Sequence, residues 1–85
     1  MKLKVYSIKD TKIGFKTPFY TFNDQVAIRM MANTVKDEKN TNEINLNPED
    51  HQLWYLGEFD DANGELTSEV KFVANAIDFK IKKGE

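Results

Sequence analysis

The chain of 85 residues carries 12 basic and 14 acidic side chains, which gives a formal net charge of −2. It has no cysteine, which excludes a disulfide framework and a thiolate metal site. No stretch approaches the roughly 20 apolar residues that span a bilayer, and the N-terminus lacks the pattern of a signal peptide. We therefore expect one domain over residues 1–85, without membrane contact, in a reducing cytoplasm.

The charge is distributed unevenly along the chain. Residues 1–36 carry seven cations against two carboxylates, residues 37–69 one against ten, and residues 70–85 four against two. Two basic ends therefore flank an acidic middle. This asymmetry indicates an anionic partner for one face, although ordinary solubilising charge gives a similar pattern.

The first predicted element is a strand in KLKVYSIKD, residues 2–10. Its period of two places Leu3 and Val5 on one side and Lys2, Lys4 and Tyr6 on the other. We expect the lysine side to face outward. Its lysines either protect an exposed strand against aggregation or bind an anion.

An irregular or edge-like segment is expected over residues 10–22, because Gly14 and Pro18 disfavour a helix or a central strand there. This segment is rich in aromatic rings, among them Phe15, Phe19 and Tyr20. The rings either cover the core or lie on a binding surface.

Residues 23–37 form the clearest predicted helix. Asn23 can cap it, and Asp24 places a carboxylate at the positive end of the helix dipole. An apolar stripe with helical spacing is expected to enter the core. The stripe consists of Ala27, Ile28, Met31 and Val35, widened by Met30.

Residues 38–47 are polar and lack a clear period, so we expect a loop. Asn47 and Pro48 then suit the cap and the first position of a short helical turn. His51, the single histidine, is expected to be exposed or to act as a cap.

Residues 53–59, LWYLGEF, predict a central strand, because both of its faces are apolar. One face would carry Leu53, Tyr55 and Phe59, and the other Trp54, Leu56 and Glu58. Asn63 and Gly64 suit the positive φ of a tight turn that follows.

The tail predicts a short helical turn near residues 70–76 and a strand over residues 77–82. Together the elements indicate an α+β fold: a small antiparallel sheet of three to four strands with one main α-helix packed on one face. The two apolar faces of the central strand favour a homodimer. If the two terminal strands are neighbours, their lysines share one face.

No catalytic constellation is evident, so an enzyme is not expected. The four glycines do not form a phosphate loop, and no nucleophile motif accompanies the single histidine. In the acidic stretch DDANGE, an EF-hand alignment puts Phe59 and Val70 at ligand positions, which excludes that site. We expect neither a metal site nor a cofactor.

Four parts of the chain, in order, resemble a family of small nonstructural proteins from gokushovirus-type microviruses, which are single-stranded DNA phages. They are MKLKVYSIKD, AIR at residues 27–29, PEDHQLWYLGEFDD at residues 48–61 and AIDF at residues 76–79. That family is usually equated with the microvirus C protein. The resemblance implies a nonenzymatic protein that acts while progeny genomes are synthesised and packaged. It also implies binding to DNA or to the replication complex, in the host cytoplasm, and absence from the mature virion.

The leading hypothesis is therefore binding of DNA, with single strands favoured. Lysines would contact phosphates and aromatic rings would stack on bases. The candidate residues are Lys2, Lys4, Tyr6, Lys9, Lys12, Lys16, Phe19, Tyr20, Lys80, Lys82 and Lys83, with Phe15 as a further candidate ring.

A second hypothesis is a protein–protein adaptor. Its acidic middle segment would dock on the replication initiator or the procapsid without direct contact to DNA. The candidate residues are Glu58, Asp60, Asp61 and Glu65.

Overall fold

The computed structural model describes residues 1–37, 39 and 42–80, and its main feature is one antiparallel sheet. The strands are β1 (Lys2–Asp10), β2 (Gly14–Phe15), β3 (Phe19–Thr21), β4 (His51–Asp60) and β5 (Glu65–Asn75). The helices are α1 (Asp24–Lys36), α2 (Glu43–Leu46) and two 3₁₀ helices, Pro48–Asp50 and Ala76–Phe79. The predicted α+β class with an antiparallel sheet is confirmed.

The sheet has the order β2-β1-β4-β5, and β3 also pairs with β1. Since β4 occupies one edge of β1, β2 and β3 share its other edge, and residues 11–21 return along that edge. The edge-like segment predicted there is confirmed. It raises the strand number to five, because Pro18, which lacks an N–H group, separates two short pairings.

A bulge in β4 reverses which side chains share a face. Val5 pairs with Gly57, but the next residue of β1, Tyr6, pairs with Tyr55, so Leu56 is left over. The predicted faces of β4 are therefore correct only up to Tyr55. Beyond the bulge, Phe59 lies on the opposite face from Tyr55.

The buried cluster lies on the side of β1 that was expected to face outward. Tyr6 and Leu53 are completely buried in it together with residues of α1 and the second 3₁₀ helix. We call this side of β1 (Lys2, Lys4, Tyr6, Ile8, Asp10) the Tyr6 face, and the other side (Leu3, Val5, Ser7, Lys9) the Val5 face. The expected orientation of β1 is wrong, because the phenol ring of Tyr6 supplies much of the core volume.

Helix α1 begins directly after Asn23, its predicted N-cap. The side chain of Asn23 accepts a hydrogen bond of 2.9 Å from the N–H group of Val26. The stripe formed by Ala27, Met31 and Val35 is buried as predicted. Met30, however, is 45% exposed and does not widen it.

The prediction that α1 packs across one face of the sheet is not confirmed. The helix packs mainly on the second 3₁₀ helix and on α2, and it meets the sheet through β4, β5 and Tyr6 of β1. None of the helices in the described part of the chain is long and apolar enough to cross a membrane.

Two further predictions are corrected. Residues 43–46, expected in a loop, form α2, which is closed by a reciprocal capping box between Asn42 and Asn45. The tail has the opposite order from the predicted one, because residues 65–75 pair with β4 as a strand and residues 76–79 form a 3₁₀ helix. The hairpin turn with positive φ at Gly64 sets this pairing; residues 81 and 82 lie outside the described part.

Candidate nucleic-acid interface

The lysines at the start of β1 lie beside carboxylates. In the register of β1 and β4, Lys2 is opposite Asp60 and Lys4 is opposite Glu58. Opposite charges on directly paired residues attract across strands. These two lysines therefore offer less positive charge to an anion than the sequence suggested.

Three more predicted phosphate contacts have partners inside the protein. The Nζ atom of Lys12 lies 3.4 Å from Asp50, and that of Lys16 lies 2.7 Å from Glu43. The Nζ atom of Lys80 donates a hydrogen bond of 3.3 Å to the carbonyl oxygen of Asn45. Lys82 and Lys83 lie outside the described residues. Within residues 1–80, the neighbours of β1 are β2, β3 and β4, and Lys80 follows a 3₁₀ helix rather than lying on a strand beside β1.

Two of the predicted stacking rings belong to the interior. Tyr6 is completely buried, and its hydroxyl donates a hydrogen bond to Oδ1 of Asp24. Burial, and then this hydrogen bond, raise the pKa of the Tyr6 phenol above its usual value of 10. The half-buried Phe19 packs against it, with ring centroids 6.0 Å apart. Tyr20, by contrast, is 67% exposed.

An aromatic cluster lies on the Val5 face of the sheet. The ring of Trp54 on β4 is flanked by Phe15 at 5.9 Å and by Phe72 at 5.8 Å, both edge to face. We call Phe15, Trp54 and Phe72 the ring triad. Phe15 and Phe72 are each about half exposed, so the triad forms part of the surface.

Lys9 completes this cluster with a positive charge. Its Nζ atom lies 5.1 Å from the centre of the Trp54 ring and 5.4 Å from that of Phe15. Both distances lie within the range of cation–π attraction. A cation beside exposed rings can hold a phosphate while a base stacks on a ring.

Register explains why these side chains meet. Lys9 pairs with both Phe15 and Gln52, and Trp54 pairs with Phe72, so all of them project from one face. Sequence reasoning named Lys9 and Phe15 but missed Trp54 and Phe72. The alternation in β4 placed Trp54 on the face opposite Leu53, but both faces were expected to be covered. Phe72 lay in a segment that was predicted to be a helical turn.

Comparison with known proteins gives one result. A family model described as Phage ORF5 protein matches residues 3–79. The chain belongs to the Phage ORF5 family. No curated protein matches it, and no solved structure matches it.

The acidic hairpin of this Phage ORF5 protein is the second predicted site. Every residue from 61 to 72 is exposed. Glu58, Asp60 and Glu65 line a small cleft of about 60 Å³ together with Lys2. The carboxylate of Asp61 instead accepts a hydrogen bond of 2.8 Å from the terminal amino group of Met1. This hydrogen bond raises the pKa of the amino group.

An apolar groove of about 480 Å³ occupies the other end of the Val5 face. Among the residues that line it are Leu3, Val5, Tyr20, Phe59 and Leu66. Tyr20 and Leu66 are each about two-thirds exposed. The groove and the ring triad therefore place apolar side chains at both ends of the Val5 face.

His51 differs from its predicted position. It ends the first 3₁₀ helix as its C-cap residue, in keeping with the capping alternative, but its ring is buried rather than exposed. It lies near two carboxylates, Asp10 and Glu43.

Proposed function

We propose that this Phage ORF5 protein is a nonenzymatic accessory protein that binds single-stranded DNA while progeny genomes are synthesised and packaged. The observation that supports this most directly is the half-exposed ring triad with Lys9 above it. The resemblance of the chain to the gokushovirus-type proteins, equated with the microvirus C protein, supports a phage with a single-stranded genome. In this proposal the protein acts in the host cytoplasm and is absent from the mature virion.

The charge of the protein shapes this proposal. A net charge of −2 provides little general attraction to a polyanion. Binding must therefore depend on stacking, which contributes about 1–3 kcal/mol per base, supported by a few local cations. Duplex DNA keeps its bases stacked inside the helix, so the ring triad favours single strands.

Salt dependence should reflect the small number of phosphate contacts. Each neutralised phosphate of a single strand contributes about −0.7 to the slope of log K against log salt. With Lys9 and one or two other lysines in contact with phosphates, we expect a slope of about −1.4 to −2.1. A much steeper slope would point to the lysine-rich ends as the main site.

Fluorescence anisotropy with labelled single-stranded and duplex oligonucleotides tests the proposal. Phe72→Ala should weaken binding of the single strand about 5- to 160-fold, because one stacking ring is lost. The matched control is Phe22→Ala, which removes an exposed ring outside the triad and should leave the affinity unchanged. Equal affinities for the wild type and Phe72→Ala would contradict the proposed surface.

The exposed hairpin favours a second candidate function, a protein adaptor. Its carboxylates project at the end of β4 and β5, where a basic surface of the replication initiator or the procapsid could dock. Asp60→Asn combined with Glu65→Gln should abolish co-purification of such a partner and spare DNA binding. Glu49→Gln, an exposed carboxylate on the first 3₁₀ helix, is the control. Unchanged co-purification by the double variant would contradict the adaptor role.

We further propose that the protein forms a homodimer through the apolar groove. Exposed apolar side chains at Tyr20 and Leu66 border it, and burial of such surface stabilises association. Leu66→Glu should convert a dimer to a monomer in light scattering coupled to size-exclusion chromatography. Identical masses for the two proteins would contradict this interface.

A further inference from the structure

Three potential metal ligands meet at the end of the sheet opposite the acidic hairpin. Asp10 is the last residue of β1 and His51 the first residue of β4, and the two are paired in the register. Glu43 is the first residue of α2. One ligand atom from each of these side chains lies within 4.8 Å of the other two.

The ring of His51 is oriented for a ligand. It is only 2% exposed, and its Nδ1 atom lies 2.8 Å from the carbonyl oxygen of Asn47. Because a carbonyl can only accept, the tautomer of a neutral ring that fits this contact has the proton on Nδ1 and an electron pair on Nε2. A backbone carbonyl is one of the usual partners of the second nitrogen in a histidine that binds a metal.

The Nε2 atom of His51 is buried and has no hydrogen-bond partner among the described residues. Buried polar atoms are almost always paired, so an unpaired one calls for a ligand. The Oδ2 atom of Asp10 lies 3.8 Å from this Nε2 atom, which is too far for a hydrogen bond.

Both carboxylates can direct an oxygen to the same point. Asp10 is buried, and its Oδ1 atom accepts a hydrogen bond of 2.9 Å from the N–H group of Lys12. Its other oxygen, Oδ2, is therefore the one that faces His51. Glu43 is held by the Nζ atom of Lys16 at 2.7 Å. Its side chain is 64% exposed, so it can change rotamer and exchange the ammonium group for another cation.

We propose that Asp10, Glu43 and His51 form a binding site for a divalent transition metal ion, with Zn²⁺ as the first choice. One imidazole nitrogen and two carboxylate oxygens suit Zn²⁺, which binds such atoms at about 2.0–2.2 Å. The ligand atoms need to approach one another by roughly 1 Å to reach tetrahedral geometry. Three protein ligands leave a position for water.

The site ties α2 to the paired ends of β1 and β4. Because α2 has only four residues, it gains little stability from its own hydrogen bonds. A metal ion would fix it through Glu43. This property is independent of the proposed DNA binding, since the ring triad contributes none of the ligands.

Calorimetric titration of the untagged, chelator-treated protein with ZnCl₂ tests the site; a histidine tag would bind the metal itself. We expect one Zn²⁺ ion per chain. His51→Asn keeps a donor toward Asn47 but removes Nε2, and Glu43→Gln removes one oxygen. Each variant should weaken Zn²⁺ binding by more than about 10-fold. Loss of a group that only hydrogen-bonds to a ligand already weakens metal binding by about that much.

Two controls make the result specific. Glu49→Gln removes a nearby exposed carboxylate outside the cluster and should leave the affinity unchanged. Lys16→Met removes the competing ammonium group and should tighten binding. Absence of Zn²⁺ binding by the wild type, or equal affinities for the wild type and Glu43→Gln, would overturn the proposal.

Nuclear magnetic resonance of the wild type avoids any effect of mutation on folding. His51 is the single histidine, so its ring signals need no assignment by variants. Stoichiometric Zn²⁺ should shift the Nε2 resonance strongly and the Nδ1 resonance little. Ring signals that do not change with Zn²⁺ would exclude His51 as a ligand.

Discussion

The hydroxyl of Tyr6, on the buried side of β1, donates a hydrogen bond to the carboxylate of Asp24 in the first turn of α1. The bond joins a strand at the centre of the sheet to the helix that follows the edge strands. Asp24 thereby serves twice, since it also places negative charge at the positive end of the helix dipole. A residue that the sequence presented as a surface ring thus holds the helix to the sheet.

Tyr6→Phe should lower the free energy of unfolding by about 1–2 kcal/mol, because a hydrogen bond to a charged group is lost while the ring remains. Chemical denaturation at pH 7 measures the difference. Ser68→Ala is the control, since it removes a hydroxyl from an exposed residue outside the core and the groove, and it should change the stability by less than about 0.5 kcal/mol. Equal losses for the two variants would contradict a structural role for the Tyr6 hydroxyl.

The same hydroxyl predicts a pH dependence. Its pKa is raised above 10 in the folded protein, so the folded state holds this proton more tightly than the unfolded chain. The resulting stability is present below pH 10 and is lost as the pH rises above it, by up to about 1.4 kcal/mol per pH unit. Tyr6→Phe should remove this part of the alkaline loss. Parallel stability curves for the two proteins above pH 10 would contradict it.

Gly57, the residue after the bulge in β4, should tolerate no side chain. Its φ is +147°, and a Cβ atom built there would lie 1.9 Å from the carbonyl oxygen of Thr67. We expect Gly57→Ala to destabilise the protein by more than about 3 kcal/mol, because backbone on β5 must move. Thermal unfolding measures it.

Gly64→Ala is the matched control for this prediction. Gly64 also has positive φ, at +78°, but a Cβ atom there meets nothing within 4 Å. Only the conformational cost of about 1–2 kcal/mol should appear. A Gly57→Ala variant as stable as Gly64→Ala would show that the strands adjust freely at the bulge.

This bulge also marks the limit of what the sequence could predict about the fold. The period of two in β1 and the cap at Asn23 depend on local chemistry, and both elements appear where expected. Which side of β1 enters the core does not depend on local chemistry. It is decided by the side on which α1 and the second 3₁₀ helix pack. In β4, a single extra residue, Leu56, changes the face of everything that follows.

The candidate sites also combine features that depend on local sequence with features that depend on contacts between distant segments. Lys9 and Phe15 could be named from residue type, but their meeting with Trp54 depends on the register of β1, β2 and β4. The burial of His51 depends on contacts distant in sequence, and its neighbour Glu43 lies on a helix of four residues that gave no periodic signal. The spacing of residues along the chain therefore predicts neither the burial of His51 nor the position of Glu43 beside it.

Met31 and Met30 provide a direct comparison of the buried and exposed sides of α1. Met31 is 2% exposed and Met30 is 45% exposed. Met31→Ala should lower the free energy of unfolding by about 2–4 kcal/mol, because it leaves a cavity in the core. Met30→Ala should change it by less than about 0.5 kcal/mol, since alanine favours the helix. Similar losses at both positions would indicate that Met30 is covered in solution by a second chain or by an altered helix position.

Trp54, the single tryptophan, should report DNA binding directly. If a base stacks on the ring triad, single-stranded oligonucleotides should quench the Trp54 emission and saturate at the concentration found by anisotropy. An abasic strand of equal length carries the same phosphates but no bases, so it should bind more weakly and cause little quenching.

Lys9→Gln should reduce the affinity and keep the quenching at saturation, because the rings remain. Lys36→Gln, an equal change of charge on α1, should leave both unchanged. Equal quenching by the abasic strand would show that phosphate contacts, rather than stacking, perturb the indole ring.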